Sequence, residues 1–266
     1  MSPANPKPLS EADLARVERV FTDVDGTLTT RDKLDSRTIA AIESLSEANI
    51  PVILVSGRPA GWAEAWARQL KVEAAICENG ALYFKLRNNK LHKIYAQPKA
   101  QRAENRNRLI REVSRTLQHF KGAKLSSDSR YTEVDLAIDH NEDAKLPPGT
   151  AQQIEAYLRK RGVTAVRSSV HVNCWVGRFD KRSMVKRYLK TEHATTLRTP
   201  DPRFLYVGDS FNDAPLFDAF SLSIGVANVR AVLASIPHPP RYITKSAEGR
   251  GFEEVAKALL RAKGKR

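Results

Sequence analysis

Two acidic residues, separated by one position, follow a short apolar run near the start of the chain. The segment reads Asp23-Val24-Asp25-Gly26-Thr27-Leu28 and comes after Arg19 to Thr22, which we predict to be a strand. Two carboxyl groups at a strand end pack poorly in an apolar core, because each needs solvent, a cation or hydrogen bonds. Ligands of open α/β sheets collect beyond the carboxyl ends of the strands. Asp23 and Asp25 are therefore candidates for a metal-dependent site.

A second acidic cluster has the same construction. The segment from Gly208 to Asp213, which contains Asp209, follows the apolar run Phe204 to Val207. Either cluster alone would be explained better as an acidic turn or a helix N-cap. Two strands that deliver acids to one sheet edge favour a metal site, and hard oxygen ligands of this kind suit Mg²⁺.

The bulk properties restrict the class of protein. The chain has 266 residues, of which 41% are hydrophobic, so it suits one large domain or two unequal ones with a real core. The two cysteines, Cys77 and Cys174, give neither a disulfide framework nor a zinc site. No apolar stretch suits a signal sequence or a bilayer span, so we expect a cytoplasmic protein without a membrane partner.

The formal net charge of +14 makes a polyanionic partner a hypothesis to weigh. The basic residues are spread over several segments, with local crowding at Arg102 to Arg115 and Arg159 to Arg161. Such runs are typical of solvated helix faces. We therefore consider nucleic-acid binding unlikely and expect a small phosphorylated substrate, which a positive field would also attract.

Short apolar runs alternate with segments of helical period, a pattern that predicts an α/β core with a central parallel sheet flanked by helices. From residue 86 to residue 173 the alternation ends, and the predicted elements are a long polar helix, a strand, a helix and two strands. We interpret this stretch as an inserted α+β domain, and residues 1–85 and 174–266 as the core domain. The predicted core strands are Arg19 to Thr22, Pro51 to Val55, Ala74 to Cys77, Phe204 to Val207, Ser223 to Gly225 and Tyr242 to Thr244.

The order of the motifs resembles that of the haloacid dehalogenase superfamily of phosphohydrolases. That superfamily carries DxDGT, then a Ser or Thr after the next strand, then a Lys, then GDxxxD. Here these are Asp23 to Thr27, Ser56, Lys181, and Gly208 to Asp213. The chain is most similar to the Cof-type branch with a C2B cap, which includes sucrose-phosphate and mannosyl-3-phosphoglycerate phosphatases and the phosphomannomutases. The resemblance implies a Rossmann-like core with the inserted domain as a cap that sets substrate specificity.

The resemblance also implies roles for individual residues. Asp23 would be the nucleophile that forms an aspartyl-phosphate, and Asp25 the general acid and base. Ser56 and Lys181 would complete the catalytic set, with Lys186 as the competing lysine. Mg²⁺ would be held by Asp23, Asp209 and Asp213 and by the backbone carbonyl of Asp25. The phosphoryl group would be bound by six residues, namely Asp23, Thr27, Ser56, Gly57, Lys181 and Asn212.

Polar residues on the predicted strands of the inserted domain indicate the chemical nature of the leaving group. If Arg130 to Asp139 and Val170 to Val176 are strands, one polar face carries Glu133, Asp135, His171 and Asn173. That face would suit a hydroxyl-rich group such as a sugar, although a solvated sheet face would have the same pattern. We expect hydrolysis of a small phosphomonoester by a monomer or homodimer. The alternatives are a phosphosugar mutase and a basic nucleic-acid-binding protein on an inactive scaffold.

Overall fold

The computed structural model describes residues 5–168 and 170–264. Among these residues a large sheet has the strand order β1-β13-β12-β11-β2-β3-β4-β5-β6, and a smaller sheet has the order β7-β8-β10-β9. The strands are Lys7–Pro8 (β1), Arg19–Thr22 (β2), Val52–Val55 (β3), Ala74–Cys77 (β4), Leu82–Arg87 (β5), Lys90–Tyr95 (β6), Lys124–Leu125 (β7), Leu136–Asp139 (β8), Thr164–Arg167 (β9), His171–Trp175 (β10), Phe204–Gly208 (β11), Leu222–Gly225 (β12) and Tyr242–Ile243 (β13). The α-helices are Ser36–Glu47 (α1), Ala60–Gln69 (α2), Lys99–His119 (α3), Thr150–Lys160 (α4), Lys181–His193 (α5), Ala214–Ala219 (α6) and Glu248–Ala262 (α7).

The large sheet is parallel from β1 to β4 and antiparallel at β5 and β6. Its central strands are buried on both faces, as their unbroken apolar runs predict. Val52 and Leu54 pack with α1, α2 and α7 on one face, whereas Ile53 and Val55 pack with α5 and α6 on the other. The predicted α/β core with a helix-flanked parallel sheet is thus confirmed.

The smaller sheet is antiparallel and is covered on one face by α3 and α4. Leu109 of α3 and Ile154 of α4 are buried against Ile138 and Val172 of the sheet. Because side chains alternate along a strand, the neighbours of Val172 point to the opposite face. That opposite face looks toward the carboxyl edge of the large sheet. None of the described helices combines the length and apolar character that crossing a bilayer requires.

The structure differs from the sequence-based expectation at two places. The predicted strand Arg130 to Asp139 is a strand only from Leu136, because a 3-10 turn at Ser129–Tyr131 and an irregular stretch precede it. The predicted domain boundaries at residues 86 and 174 fall inside β5 and β10. Strand β6 pairs with β5 in the large sheet, and its many exposed polar residues, typical of a sheet edge, obscure it in the sequence. We therefore propose that the inserted unit runs from α3 through β10.

The corner between β4 and β5 sets the position of α5. Gly80 has a φ of +95°, and a Cβ added there would lie 2.2 Å from the Asp180 carbonyl oxygen and 2.9 Å from the Lys181 nitrogen. The chain can therefore bring the first turn of α5 against this corner only if residue 80 has no side chain.

Gly80→Ala is expected to lower the free energy of unfolding by at least about 3 kcal/mol, because it adds a backbone clash to the cost of the positive φ. Gly149→Ala is the matched control, since Gly149 has a φ of +86° with nothing within 4 Å of an added Cβ. It should cost about 1 kcal/mol. Urea denaturation of both variants measures the difference, and equal losses would show that the clash is relieved cheaply.

Candidate active site

Two adjacent parallel strands bring the acidic clusters together. Strands β2 and β11 pair in register, and the Asp23 amide donates to the Val207 carbonyl at 2.9 Å. One carboxylate oxygen from each of Asp23, Asp209 and Asp213 lies within 4.8 Å of the other two. The two sequence clusters therefore form one site at the carboxyl edge of the sheet.

The turn after Asp23 is shaped around Asp209. Gly26 has a φ of +73°, and a Cβ there would meet Asp209 Oδ2 at 2.5 Å. Thr27 is buried, and its Oγ1 donates to Asp209 Oδ1 at 3.3 Å. Asn228 Nδ2 donates both to the Gly26 carbonyl at 3.0 Å and to Asp209 Oδ2 at 2.8 Å. The hydrogen bonds from Thr27 and Asn228 fix the orientation of the Asp209 carboxylate.

Lys181 lies among the acids. Its Nζ donates to Asp23 Oδ1 at 2.9 Å and to Asp213 Oδ1 at 3.3 Å. It is the first residue of α5, where Asp180 and Ser183 form a capping box, so the helix begins with this side chain directed into the sheet edge. Lys186 is exposed. Of the two lysines, the structure brings Lys181 to the acidic cluster.

Asp213 is held by donors on both of its oxygens. Oδ1 accepts from the Tyr206 hydroxyl at 2.6 Å as well as from Lys181, and Oδ2 accepts from the amides of Asp209 and Ser210 at 3.0 and 3.1 Å. In contrast, no donor among the described residues is within hydrogen-bond distance of Asp23 Oδ2. Asp23 therefore has a free oxygen for a ligand, whereas Asp213 is fixed as part of the surroundings.

Burial controls the charges of this cluster. It raises the pKa of Asp23 to about 7, with Lys181 opposing the rise, and it raises the pKa of Asp209 to about 8, with Asp213 and Asp23 adding to the rise. Burial alone would lower the pKa of Lys181, but Asp23 and Asp213 raise it above its usual value. Lys181 therefore keeps its positive charge. Because one lysine does not neutralise three ionised acids, a further cation would stabilise the ionised cluster.

The other predicted phosphate-binding residues lie around the acids. Ser56 is buried at the end of β3, and its Oγ accepts from the Arg58 amide at 2.9 Å. Gly57 and Asn212 line the cavity that opens above Asp23. These residues come from two loops at the same sheet edge, one after β3 and one after β11.

A cavity of about 1250 Å³ lies between the two sheets. Of the residues predicted from the inserted unit, Asp135, His171 and Asn173 line it, whereas Glu133 does not. Glu133 instead accepts hydrogen bonds from Lys93 and Tyr95 on the edge strand β6. Glu133 and Asp135 have different surroundings because residues 132–135 do not form a strand, so the expected alternation of side chains does not apply there.

Glu78 joins the two units of the structure. Its buried carboxylate accepts from the backbone amides of Glu133, Val134 and Asp135 at 2.7 to 3.0 Å, and from the Ala60 amide at 3.0 Å. Burial raises its pKa, and the backbone donors partly offset that rise. Glu78 lies outside the motifs named in the sequence analysis, and its role depends on partners that are distant in sequence.

Three further residues of the site have no predicted role. Asn79 Nδ2 donates to Asp135 at 3.0 Å, and burial together with the Glu78 charge raises the pKa of Asp135 well above its usual value. Arg58 lies against Asp25, with Nε 3.0 and 3.1 Å from its two carboxylate oxygens. Asn228, described above, is the third. Of these three residues, only Arg58 lies close to a motif residue of the sequence analysis, Ser56.

Comparison with known proteins agrees with this geometry. Residues 20–103 match the family model of the haloacid dehalogenase-like hydrolases. A phosphoglycolate phosphatase of Archaeoglobus fulgidus is 27% identical over 245 residues, which cover 90% of this chain and 96% of the relative. Among solved structures, a Thermoplasma acidophilum protein superposes with a TM-score of 0.68 at 20% identity, covering 91% of this chain and 98% of the other. The sucrose-phosphatase of Synechocystis, solved with sucrose and phosphate, gives 0.64 at 17% identity, covering 92% and 98%.

The match over residues 20–103 agrees with the resemblance that the order of the motifs indicates. The sequence relatives of this chain that carry a named activity are phosphoglycolate phosphatases, and its structural neighbours include a sucrose-phosphatase.

The acidic cluster fits a divalent cation. Its donors are hard carboxylate oxygens, one oxygen of Asp23 is free, and burial holds protons on Asp23 and Asp209 that a cation would displace. In the folded protein without metal, the Asp23 and Asp209 carboxyl groups keep their protons at pH values at which the same groups of the unfolded chain are already ionised. Their ionisation therefore lowers folding stability as the pH rises from about 4 to about 8.

Stabilisation by Mg²⁺ should accordingly grow with pH. Because the cation must displace a proton from each of the two carboxyl groups, its apparent affinity is expected to rise by well over tenfold from about pH 6 to pH 7 and by about tenfold from pH 7 to pH 8. Thermal unfolding with a Mg²⁺ titration at several pH values measures the effect. Asp209→Asn should largely remove the Mg²⁺-dependent shift in Tm. A shift that is the same at every pH would argue against these carboxylates as the ligands.

Proposed function

We propose that this protein is a Mg²⁺-dependent phosphomonoester hydrolase that acts through an aspartyl-phosphate on Asp23. The observation that supports this most directly is the position of the Asp23 carboxylate. One oxygen is paired with Lys181 at 2.9 Å, and the other oxygen accepts no hydrogen bond from the described residues. A carboxylate that is neutralised on one side and free on the other suits attack on phosphorus.

Two displacements would complete the reaction. Asp23 would form a bond to phosphorus while the ester oxygen leaves, and Asp25 would give that oxygen a proton. A water molecule would then attack the aspartyl-phosphate, Asp25 would take its proton, and inorganic phosphate would leave. The cavity supports this assignment, because both Asp23 and Asp25 line it.

The remaining residues would bind and neutralise the phosphoryl group. Lys181, Ser56 and the loops at Gly57 and Asn212 would supply positive charge and hydrogen bonds. Thr27 is buried against Asp209, so we assign it to orienting that carboxylate. Mg²⁺ would be held by Asp23, Asp209 and the Asp25 backbone, with Asp213 fixing the surroundings, and when bound it neutralises charge on the transferring group.

Asp23→Asn is expected to lower kcat by at least about 1000-fold, because the amide is a poor nucleophile, while Mg²⁺ removal with EDTA should have a similar effect on the wild-type protein. Phosphate release from a panel of phosphorylated metabolites measures both. Asp218→Asn is a matched control, since Asp218 is an exposed partner of Arg182. Turnover by Asp23→Asn at the wild-type rate would refute the mechanism.

The substrate that we propose is a sugar phosphate. Sequence relatives are named phosphoglycolate phosphatases, whereas a structural neighbour was solved with sucrose. The cavity wall carries Asp128 and Glu142, which lie against Arg58 on the side away from Asp25, and these two acids would disfavour a carboxylate on the leaving group. The same acids suit hydroxyl donors, and the volume of the cavity exceeds the needs of a two-carbon group.

Two other functions have less support. A phosphosugar mutase would use the same site, and it would be recognised by transfer of phosphate between sugar positions without release of inorganic phosphate. A nucleic-acid-binding protein on an inactive scaffold would not require an intact acidic cluster. Several residues of the basic segments are also engaged internally, as in the pairs of Arg115 and Arg161 with Glu112.

A hexose phosphate should be hydrolysed with a kcat/KM at least about tenfold above that for phosphoglycolate. Asn173→Ala, which removes a polar group from the cavity wall, should raise KM for the hexose phosphate about tenfold and leave that for p-nitrophenyl phosphate nearly unchanged. Steady-state kinetics on the three esters measures this. A preference for phosphoglycolate would overturn the sugar-phosphate assignment and leave the hydrolase assignment in place.

A further inference from the structure

Arg58 connects Asp25 to the inserted unit. It follows β3 in the loop that also contains Ser56, and its Nε lies 3.1 and 3.0 Å from the two carboxylate oxygens of Asp25. Its NH1 is 3.4 Å from Asp128 and 3.8 Å from Glu142. Asp25 belongs to the core, and both Asp128 and Glu142 belong to the inserted unit. A single guanidinium thus spans the boundary between them.

The surroundings hold the guanidinium in this orientation. The Arg58 side chain is only 17% exposed, and its guanidinium lies 5.6 Å from the centre of the Trp62 ring. On the far side, Asp128 accepts from the Ser126 hydroxyl, and Glu142 Oε2 lies 2.8 Å from His171 Nε2. The two acids of the inserted unit are therefore themselves fixed. Three carboxylates around one planar cation favour a single arrangement of its donors.

Asp25 depends on this contact for its orientation. Its side chain is 41% exposed, and Arg58 is the only hydrogen-bond donor that its carboxylate has among the described residues. One Nε–H between the two oxygens leaves lone pairs on each oxygen free for another partner. The contact thus orients the carboxylate without blocking it.

We infer that Arg58 is a positioning residue that aligns Asp25 for proton transfer only while the inserted unit is seated on the core. The inference rests on the proposed acid and base role of Asp25. When the inserted unit lifts to admit a substrate, Arg58 loses Asp128 and Glu142 and regains the rotational freedom of a long side chain. The aligned state of Asp25 returns when the unit closes, so proton transfer is coupled to closure.

The test uses leaving groups that differ in their need for a proton. An alkyl ester such as a hexose phosphate needs protonation of its leaving oxygen, whereas p-nitrophenolate leaves without it. Arg58→Ala should lower kcat/KM, which reports the steps up to departure of the leaving group, about 100-fold on the hexose phosphate and no more than about threefold on p-nitrophenyl phosphate. Arg58→Lys, which keeps the charge but loses the planar donor, should recover part of the loss. A general folding defect would lower both rates together.

Two further sets of variants test whether the inserted unit acts on Asp25 through Arg58. Asp128→Asn combined with Glu142→Gln should lower kcat/KM on the hexose phosphate about tenfold with the same selectivity, because the inserted unit then no longer fixes the guanidinium. Arg68→Ala, which removes an exposed arginine of α2 paired with Glu64, is the control and should leave both rates unchanged. In the Asp25→Asn background, Arg58→Ala should have no further effect on the hexose phosphate.

The outcomes separate this inference from the proposed function. Equal losses on both esters, or a full effect of Arg58→Ala in the Asp25→Asn background, would overturn the role of Arg58 and leave the hydrolase mechanism intact. Wild-type turnover of the hexose phosphate by Asp25→Asn would refute the acid and base role itself, and the inference with it.

Discussion

The site depends on one buried ammonium group between two buried carboxylates. Lys181 Nζ lies 2.9 Å from Asp23 and 3.3 Å from Asp213, and all three side chains are almost fully buried. Isolated charges in such surroundings would cost several kcal/mol each. Here they persist because each has a partner, and because the Tyr206 hydroxyl and two backbone amides satisfy the rest of Asp213. Without the lysine, which opposes the effect of burial, the pKa of Asp23 would rise further, and the proposed nucleophile would stay protonated over a wider range of pH.

The fold supplies this arrangement through the order of its strands. Because β2 and β11 are parallel neighbours, the residues that follow them emerge side by side, although Asp23 and Asp209 are far apart in sequence. The lysine comes from the start of α5, which the Gly80 corner places against the same edge. The catalytic geometry is thus a consequence of strand adjacency and of one helix start, both of which are set by packing beneath the site.

The sequence predicts most of this, and its failures have a physical cause. Buried strands followed by acids identify Asp23 and Asp209, because unbroken apolar runs are a strong signal for central parallel strands. The same reasoning fails at Glu133, since alternation has meaning only within a strand, and residues 132–135 form an irregular loop. Arg58 and Glu78 escape prediction for another reason. Their roles come from partners in the inserted unit, and single-sequence reasoning does not reveal contacts between segments so far apart.

Polar contacts form part of the boundary between the two units, beside the packing of Val134 and Trp175 of the inserted unit into the apolar cluster of the core. Glu78 binds three consecutive backbone amides of the inserted unit, and Arg58 binds two of its acids. Water can replace such hydrogen bonds at modest net cost, whereas a large apolar interface would have to be exposed in full. The polar part of this boundary would suit a unit that separates to admit a substrate and closes again, and it places Arg58 beside Asp25, the carboxylate to which we propose a proton-transfer role.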